Sequence, residues 1–366
     1  MKFVISREAL LRPLQLVAGV VEKRQTLPVL SNVLLEIEGQ QLSLTGTDLE
    51  VELVGRVTLD EVGQEGSITV PAKKLMDICR SLPDGAQIEI EQDEARVNVR
   101  SGRSRFTLST LPATEFPNVD AIADEQSFSL PQASLRHIID RSSFAMAQQD
   151  VRYYLNGMLM EVTADSLRAV ATDGHRLATC VTEVSGLAET RQIILPRKGV
   201  LEMAKLLTDP EASVSLSLSA NHLRAQTEEF TFTSKLVDGK FPDYSRVIPK
   251  GGNNVVLADR TDLRQVFNRT AILSNEKYRG VRLVLGSDTL QVFANNPEQE
   301  EAEETTAVEY QGDALEIGFN VSYLQDVLGV ISTEQVKFTL SDANSSALIE
   351  EPDSSDAMYV VMPMRL

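Results

Sequence analysis

Apolar positions along the chain follow two different periods. Segments such as Phe128-Ser129-Leu130 place apolar residues at every second position, which is typical of half-buried strands. Other segments have helical spacing, as where Leu10, Leu14 and Val17 share one face. This spacing predicts helices at 7–24, 72–82, 133–147, 197–208, 260–272 and 320–331. Strands are predicted over most of the rest, so the pattern indicates an α+β protein.

The same order of elements returns along the chain at a nearly constant distance. Phe3 and Leu10 recur 125 residues later as Phe128 and Leu135, and Phe116-Pro117 recurs at the same distance as Phe241-Pro242. A fainter third copy places Ala294-Asn295-Asn296 opposite Ala171-Thr172-Asp173, at a distance of 123 residues. Many matches in one register are typical of a tandem repeat. We predict three copies of one domain, at 1–125, 126–253 and 254–366, each with two helices and two small antiparallel sheets.

Charge is distributed unevenly between the predicted elements. The net charge of −18, from 35 basic and 53 acidic side chains, argues by itself against a nucleic-acid partner. The six predicted helices, however, hold 15 basic and 7 acidic side chains, a net charge of +8. Basic residues collected on one class of element suit a surface that faces phosphates. The alternative is that helices simply tolerate Lys and Arg well.

The first and third copies carry opposite charges at comparable places. The first copy has basic residues around two apolar ones, and these are Lys74, Arg96, Arg100, Arg103 and Arg105 with Phe106 and Leu108. The third copy has an acidic run and an apolar pair, which are Glu298, Glu300, Glu301, Glu303 and Glu304 with Ile272 and Leu273. Taken alone, such an acidic run is more often a solvated loop. Opposite a basic edge it predicts a head-to-tail contact, by which two chains would close a ring of six domains.

Signatures of enzymes and of bound metals are mostly missing from the sequence. The three histidines fit no metal spacing, no phosphate-binding glycine loop is present, and Cys79 and Cys180 form no CxxC pair. We therefore predict no metal, no cofactor and no disulfide. Asp173 and His175 are the most catalytic-looking pair and keep open an alternative, a repeat-built enzyme. The matching segment of the first copy has Thr47-Asp48 without a histidine, which favours a shared turn instead.

The chain shows no membrane or secretion signal. No apolar run is long enough to cross a bilayer. Near the N-terminus, Arg7, Glu8 and Arg12 interrupt the apolar positions, so no signal peptide is predicted. We expect a cytoplasmic protein.

Several segments, read together, resemble the bacterial DNA polymerase III beta subunits, the sliding clamps. They are DVRYYLNG at 150–157, TDGHRL at 172–177, LPRKG at 195–199, SNEK at 274–277 and NNPEQEEAEE at 295–304, with FTSKLVDG at 232–239 and VMPMRL at 361–366. The resemblance extends over the whole chain. It implies a homodimeric ring with helices lining the hole, which encircles duplex DNA without reading its sequence. It also implies a non-catalytic processivity factor of the polymerase III holoenzyme in DNA replication.

Residue roles follow from the resemblance, position by position. DNA contacts are implied at Arg24, Gln149, Arg197, Lys198, Lys235 and Lys240. The dimer interface is implied at Lys74, Arg96, Arg103, Arg105, Phe106 and Leu108, which would face Ile272, Leu273 and the glutamates at 298, 300, 301, 303 and 304.

A groove between the second and third copies is the other implied site. There the family docks a short linear motif of the polymerase alpha subunit, other polymerases, the clamp loader, mismatch-repair proteins and ligase. The matching residues are Arg152, Tyr154, Leu155, Thr172, Gly174, His175, Arg176, Leu177, Pro242, Arg246, Val247, Asn320, Tyr323, Ser346, Val360, Met362, Pro363, Met364 and Arg365. Asn344 departs from the apolar residue expected at its position. The methionines of the tail suit varied partners, whereas Tyr359 to Val361 have the pattern of a last core strand.

Overall fold

The chain forms two compact units in a computed structural model that describes residues 1–21, 27–117, 126–185 and 190–365. Unit 1 comprises Met1–Ala133 and Lys198–Leu236, and unit 2 comprises Ser134–Arg197 and Val237–Leu366. The middle copy of the predicted repeat therefore contributes to both units. No helix among the described residues is long and apolar enough to cross a membrane.

Six α-helices occur in the described residues, close to the six predicted spans. They are α1 Arg7–Val20, α2 Ala72–Ser81, α3 Gln132–Ser142, α4 Arg197–Leu206, α5 Arg260–Thr270 and α6 Val321–Val330. Helix α1 ends at Val20, and residues 22–24 of its predicted span lie outside the described residues. Two other predicted spans were too long at their C-terminal ends, because α3 and α5 each end in a short 3-10 turn. At these ends the Ser142 and Thr270 hydroxyls donate hydrogen bonds to the carbonyl oxygens of Ile138 and Val266. Such bonds to the preceding turn disfavour continued α-helix.

Twenty-five strands are present in the described residues. Those of the first copy are β1 Lys2–Ser6, β2 Asn32–Glu38, β3 Gln41–Thr47, β4 Val51–Thr58, β5 Glu61–Gln64, β6 Gly66–Pro71, β7 Gln87–Asp93, β8 Arg96–Ser101 and β9 Ser104–Ser109. Those of the second are β10 Gln126–Pro131, β11 Gly157–Val162, β12 Ser166–Thr172, β13 Arg176–Glu183, β14 Arg191–Pro196, β15 Ser213–Leu218, β16 His222–Gln226 and β17 Phe230–Lys235. Those of the third are β18 Asn254–Asp259, β19 Gly280–Gly286, β20 Thr289–Asn295, β21 Glu301–Ala307, β22 Leu315–Asn320, β23 Gln335–Leu340, β24 Ala347–Glu350 and β25 Ala357–Val361.

Unit 1 holds a five-stranded sheet and an eight-stranded sheet. Their strand orders are β5-β1-β7-β8-β9 and β10-β15-β16-β17-β4-β3-β2-β6. Helix α1 packs on β3, β4 and α2, and buries Leu10, Leu14 and Val17 completely. A Cβ atom at Gly46 of β3 would lie only 2.7 Å from Cγ1 of Val17. A glycine is therefore required where this helix approaches the sheet.

Unit 2 holds an eight-stranded sheet and a four-stranded sheet. Their strand orders are β14-β11-β12-β13-β25-β24-β23-β18 and β21-β20-β19-β22. Helix α5 packs on α6, β20 and β21, with Leu263, Val266 and Phe267 on its buried face. The apolar spacing that predicted this helix is thus the spacing of its core contacts.

Strand order confirms the threefold repeat and adds a feature that the sequence did not predict. The series β4-β3-β2-β6 recurs as β13-β12-β11-β14 and as β21-β20-β19-β22. The series β1-β7-β8-β9 recurs as β10-β15-β16-β17 and as β18-β23-β24-β25. Neighbouring copies are joined edge to edge, by β17 with β4 in unit 1 and by β25 with β13 in unit 2. Two small sheets per copy are therefore merged into eight-stranded sheets, while β9 and β21 stay at open sheet edges.

Candidate functional site

The turn between β12 and β13 organises the centre of the predicted groove in unit 2. The Asp173 carboxylate accepts hydrogen bonds from the backbone N–H groups of His175 and Arg176, at 2.9 and 3.1 Å. The Thr172 hydroxyl donates to the carbonyl oxygen of Arg176 at 2.6 Å and accepts from the N–H of Gly174 at 3.1 Å. In unit 1 the same four bonds are made by Thr47 and Asp48. The predicted Thr-Asp turn is thus confirmed in both copies.

The side chains of Asp173 and His175 each contact another residue and do not form an acid–base pair with each other. The second oxygen of Asp173 accepts a hydrogen bond from Nε of Arg176 at 3.0 Å. The imidazole of His175 stacks on the ring of Tyr323, with centroids 6.4 Å apart and planes 20° apart. The structure therefore favours the turn over the alternative catalytic interpretation.

Arg176 is the most strongly held cation of the groove. Besides its bonds to Asp173, its guanidinium donates to the Asp326 carboxylate and to the carbonyl oxygen of Phe144, at 2.5 and 2.9 Å. Its central carbon lies 4.5 Å from the centroid of the Tyr323 ring. Three anchors and a ring contact fix the guanidinium, so it can form part of a rigid wall.

An apolar cluster packs beneath several of the predicted groove residues. Leu155, Leu177 and Val360 are buried and pack with Phe241 and further apolar side chains of unit 2. Tyr154 is partly buried against this cluster, whereas Val247 and Met362 are 39% and 38% exposed. The arrangement offers solvent a soft apolar surface above a packed core, which suits apolar side chains of a peptide.

The C-terminal tail is attached beside this cluster by backbone hydrogen bonds. Strand β25 ends at Val361, and Tyr359, Val360 and Val361 are buried, as the pattern of a core strand predicted. Beyond it, the N–H of Met362 donates to the carbonyl oxygen of His175, and that of Met364 donates to the carbonyl oxygen of Gly318, both at 2.9 Å. The tail is therefore held in place while its methionine side chains stay accessible.

Arg152 is positioned by a carboxylate next to it. Its Nε and Nη2 atoms donate to Oδ1 and Oδ2 of Asp150 at 3.0 and 2.9 Å. Hydrogen bonds from the Arg152 side chain and backbone lower the pKa of Asp150 to about 2. Gly174 adopts φ = 89°, and a Cβ atom there would lie 3.0 Å from two guanidinium nitrogens of Arg152. The turn and the arginine thus require glycine at this position.

The other predicted groove residues described next belong to the same unit. The Asn320 side chain caps α6 by accepting from the N–H of Ser322, and Arg246 is exposed with its guanidinium on Asp243. Pro242 and Arg365 are exposed, while Ser346 and Pro363 are half-buried. Asn344 is exposed in a turn that Asp342 caps. The assignment of these residues to a binding site stays a prediction.

The predicted DNA contacts differ in how free their side chains are. Gln149, Lys235 and Lys240 are exposed, and Gln149 adopts φ = 57°. Lys198 donates to the Asp48 carboxylate at 2.5 Å and to the carbonyl oxygen of Val20 at 3.1 Å. Arg197 donates to the carbonyl oxygen of Met146, and burial, followed by the nearby Arg176, lowers its pKa. Arg24 lies outside the described residues.

Each set of predicted interface residues includes residues of an open edge strand of its unit. In unit 1, Arg105, Phe106 and Leu108 belong to β9, with Arg103 in the turn before it, Arg96 at the start of β8 and Lys74 exposed on α2. In unit 2, the glutamates at 301, 303 and 304 belong to β21, and those at 298 and 300 precede it.

The remaining predicted interface residues of unit 2 differ in how free their side chains are. Ile272 and Leu273 lie in the 3-10 turn that follows α5. Ile272 is 76% exposed, which is exceptional for an isoleucine, and the adjacent Leu273 is half-buried. Glu304, in contrast, accepts two hydrogen bonds from Arg269 of its own chain, at 2.6 and 2.9 Å, which lower its pKa. The exposure of Ile272 leaves its side chain free to take part in the predicted interface.

Models of one protein family match the chain from end to end. The N-terminal, central and C-terminal domains of the DNA polymerase III beta subunit match residues 1–120, 129–243 and 245–365, respectively. The chain belongs to the DNA polymerase III beta subunit family. These matches support three copies, whereas the exact boundaries at 125 and 253 stay predictions.

Similar members of the beta subunit family cover the chain completely. The beta sliding clamp of Pseudomonas putida is 66% identical over 367 residues, with both chains fully covered. Two crystal structures of the Pseudomonas aeruginosa protein, one of them bound to griselimycin, reach a TM-score of 0.97 at 65% identity, again with full coverage of both chains. The predicted fold and function are thereby confirmed: the chain is a processivity clamp and an accessory subunit of DNA polymerase III, without catalytic activity of its own.

Some residues that shape the clamp site could not be found from the sequence. Asp326 and Phe144 hold Arg176, and Gly318 holds the tail, yet all three are distant from their partners along the chain. Asp150 had a local signal, because an aspartate two residues before an arginine can bind its side chain and its backbone together. The other contacts arise only from folding.

Proposed function

We propose that two copies of this clamp close head to tail around duplex DNA and slide on it without reading its sequence. Partners that carry a short linear motif would dock in the groove of unit 2. These partners are the polymerase alpha subunit and other polymerases, the clamp loader, mismatch-repair proteins and ligase. The proposal depends on one observation: the two strands at open sheet edges, β9 and β21, are equivalent to strands that are paired between neighbouring copies within the chain.

Strand equivalence predicts the partner of each open edge. Strand β9 occupies the place that β17 and β25 occupy in the other copies, and β21 occupies the place of β4 and β13. Within the chain, β17 pairs with β4 and β25 pairs with β13, in both cases antiparallel. By the same rule, β9 of one chain would pair with β21 of another. Such a contact joins unlike edges, and two of them can close a ring.

The side chains of the two edges support this pairing. Arg96, Arg103 and Arg105 are exposed on the first edge, and Glu301 and Glu303 are exposed on the second. Ile272 and Leu273 would meet Phe106 and Leu108 at the apolar centre. Opposite charges around an apolar centre favour the correct partner and the correct register. Because Arg269 already holds Glu304, we expect this glutamate to contribute less than its neighbours.

The interface is tested by replacing Ile272 and Leu273 with alanine. The double variant should sediment as a folded monomer, because the apolar centre of the contact is removed. Val255→Ala is the matched control, since Val255 is 44% exposed in the same unit but lies on β18, away from the proposed contact. A double variant that is still dimeric at micromolar concentration would sink the proposed interface.

DNA is held mainly by enclosure in this proposal. Gln149, Arg197, Lys198, Lys235, Lys240 and Arg24 would make non-specific phosphate contacts. Since Asp48 already binds Lys198, and Oε1 of Glu50 lies 3.7 Å from Nζ of Lys235, we expect the exposed Lys240 to contribute more. With a net charge of −18, direct affinity should be weak and should fall with salt.

The side chains of the proposed groove are suited to binding a peptide motif. A buried apolar floor, fixed arginines and accessible methionines are what a motif with apolar anchors requires. Enclosure and docking together would raise the local concentration of polymerase at the template. We place this activity in the cytoplasm.

A further inference from the structure

Three potential metal ligands meet in unit 2, and none of them is assigned to the proposed groove or to the dimer contact. They are His137 of α3, Cys180 of β13 and Asp356, which immediately precedes β25. Their ligand atoms all lie within 4.8 Å of one another, and Nε2 of His137 is 3.0 Å from Oδ2 of Asp356. Because the three residues come from separate parts of the sequence, their spacing predicted no such group.

The chemistry of the three donors fits a transition metal. Imidazole nitrogen, thiolate sulphur and carboxylate oxygen are all zinc ligands, and three protein ligands leave one position of a tetrahedron for water. Hard cations such as Mg²⁺ and Ca²⁺ select oxygen ligands instead.

The three ligands differ in burial, so the group is closed on the side of the cysteine and open to solvent on the side of the other two residues. Cys180 is fully buried, whereas the side chains of His137 and Asp356 are 40% and 38% exposed. An ion could therefore enter between the imidazole and the carboxylate and reach the sulphur below them. Ser354 makes a side-chain hydrogen bond to the other carboxylate oxygen of Asp356, which orients this ligand.

Nearby positive charge is compensated within the unit. Arg141 lies one turn after His137 on α3, where an unpaired guanidinium would repel a cation. Its Nη1 atom, however, donates to Oε1 of Glu351 at 2.7 Å. The Asp356 carboxylate and the bound thiolate would then balance the charge of a divalent ion.

We propose that His137, Cys180 and Asp356 form a transition-metal site, with Zn²⁺ the favoured ion and water as a fourth ligand. Binding would replace the hydrogen bond between His137 and Asp356, and the Nε2 lone pair would coordinate the ion while Nδ1 carries the ring proton. The thiol would lose its proton to solvent.

The ion would fasten the second copy of the repeat to the third within unit 2. His137 and Cys180 belong to the second copy and Asp356 to the third, and Cys180 pairs in register with Ala357 at the join of β13 and β25. The metal would therefore crosslink a helix, a strand and the segment that leads into the last strand.

The two buried cysteines of the chain provide an internal control. Cys79 lies in unit 1, is also fully buried and serves as the matched residue. The full-length protein is incubated with ZnCl₂, desalted, and assayed for bound zinc and for thermal unfolding. Wild type and Cys79→Ser should retain one zinc ion per chain and melt at a higher temperature with zinc. Cys180→Ser should do neither.

Two further variants keep the test meaningful if Cys180→Ser folds poorly. His137→Gln and Asp356→Asn alter half-exposed side chains, and each should weaken zinc binding on the order of tenfold or more. Cobalt(II) then reports on the sulphur, since a thiolate-to-cobalt charge-transfer band should appear in wild type and Cys79→Ser alone. Zinc retained by Cys180→Ser, or cobalt bound without this band, would overturn the proposal and assign the ion to surface carboxylates.

Discussion

At the scale of single residues, the first and second copies share the Thr-Asp turn but have different residues at the position of positive φ. Gly174 in the second copy and Leu49 in the first follow a Thr-Asp pair and adopt φ = 89° and 77°. Both lie in the left-handed region, which costs a side-chain-bearing residue about 1–2 kcal/mol. A Cβ atom at Gly174 would also lie 3.0 Å from two guanidinium nitrogens of Arg152, so the guanidinium would have to shift. The second copy thus combines an unstrained turn with a fixed arginine in the groove.

Gly174→Ala should therefore lower the free energy of unfolding by about 1–2 kcal/mol and weaken peptide binding. The cause is a strained turn together with a displaced Arg152 guanidinium. Thermal unfolding and the fluorescence anisotropy of a labelled motif peptide measure the two effects. The matched variant Leu49→Gly relieves the same strain in unit 1 and should leave peptide binding unchanged. Wild-type affinity in Gly174→Ala would remove this turn from the binding site.

A buried ion pair in unit 2 is the second residue-scale feature. The side chains of Arg141 and Glu351 are 10% and 7% exposed, and the guanidinium also donates to Ser332 at 2.8 Å. Burial by itself would raise the pKa of Glu351. Hydrogen bonds from the Ser332 N–H and from Arg141 outweigh burial and lower it.

Glu351→Gln should destabilise the protein by about 3–5 kcal/mol, since it leaves the Arg141 charge buried without its partner. The double variant Arg141→Met with Glu351→Leu should be much closer to wild type. The folded-state pKa of Glu351 lies below its ordinary value of 4.5, so the carboxylate stabilises the fold above that pH. The stability difference between wild type and Glu351→Gln should shrink as pH falls below about 4.5, and unfolding followed from pH 7 to 3 measures it. A difference that is constant over this range would contradict the assignment.

At the scale of elements, the open edge strands and the tail would carry the interactions that we propose for the clamp. An open edge strand exposes backbone donors and acceptors that invite another strand, so charge on the edge selects which strand may pair. Basic residues accompany β9 and glutamates occupy β21. Like edges would repel, which favours the head-to-tail pairing over symmetric contacts.

Deletion of residues 362–366 should abolish motif binding while β25, and with it the fold, is retained. The deletion removes two backbone hydrogen bonds, whose loss should cost about 1–3 kcal/mol of stability. Peptide anisotropy and thermal unfolding check the two parts. The variant Met362→Ala with Met364→Ala keeps both backbone bonds, so it should lose affinity with less effect on stability. General unfolding of the truncated chain would show that the tail belongs to the core.

At the scale of the whole molecule, closure rather than affinity would hold the clamp on DNA. Loaded clamps should stay on nicked circular DNA and slide off linear DNA with free ends, because only the circle lacks an exit. Gel filtration of labelled clamps after loading, at raised salt, separates bound from free protein. Blocking the ends of the linear DNA with bulky proteins should restore retention. Equal retention on open linear and circular DNA would refute topological binding.

The sequence by itself determined the threefold repeat, the Thr-Asp turns, the class of the elements and the opposite charge of the two end copies. These features are local or periodic, so spacing and residue type suffice to predict them. Because the chain closely resembles a known family, the groove residues could also be assigned position by position.

Only the tertiary structure decided which strand edges are joined and which are open. It also decided which charged side chains are already paired within the chain. Asp48 engages Lys198, Arg269 engages Glu304, and His137, Cys180 and Asp356 come together from three distant segments. Pairing between distant segments depends on the summed packing of whole sheets and helices. No local pattern records that sum, which is why these contacts appear only in the folded chain.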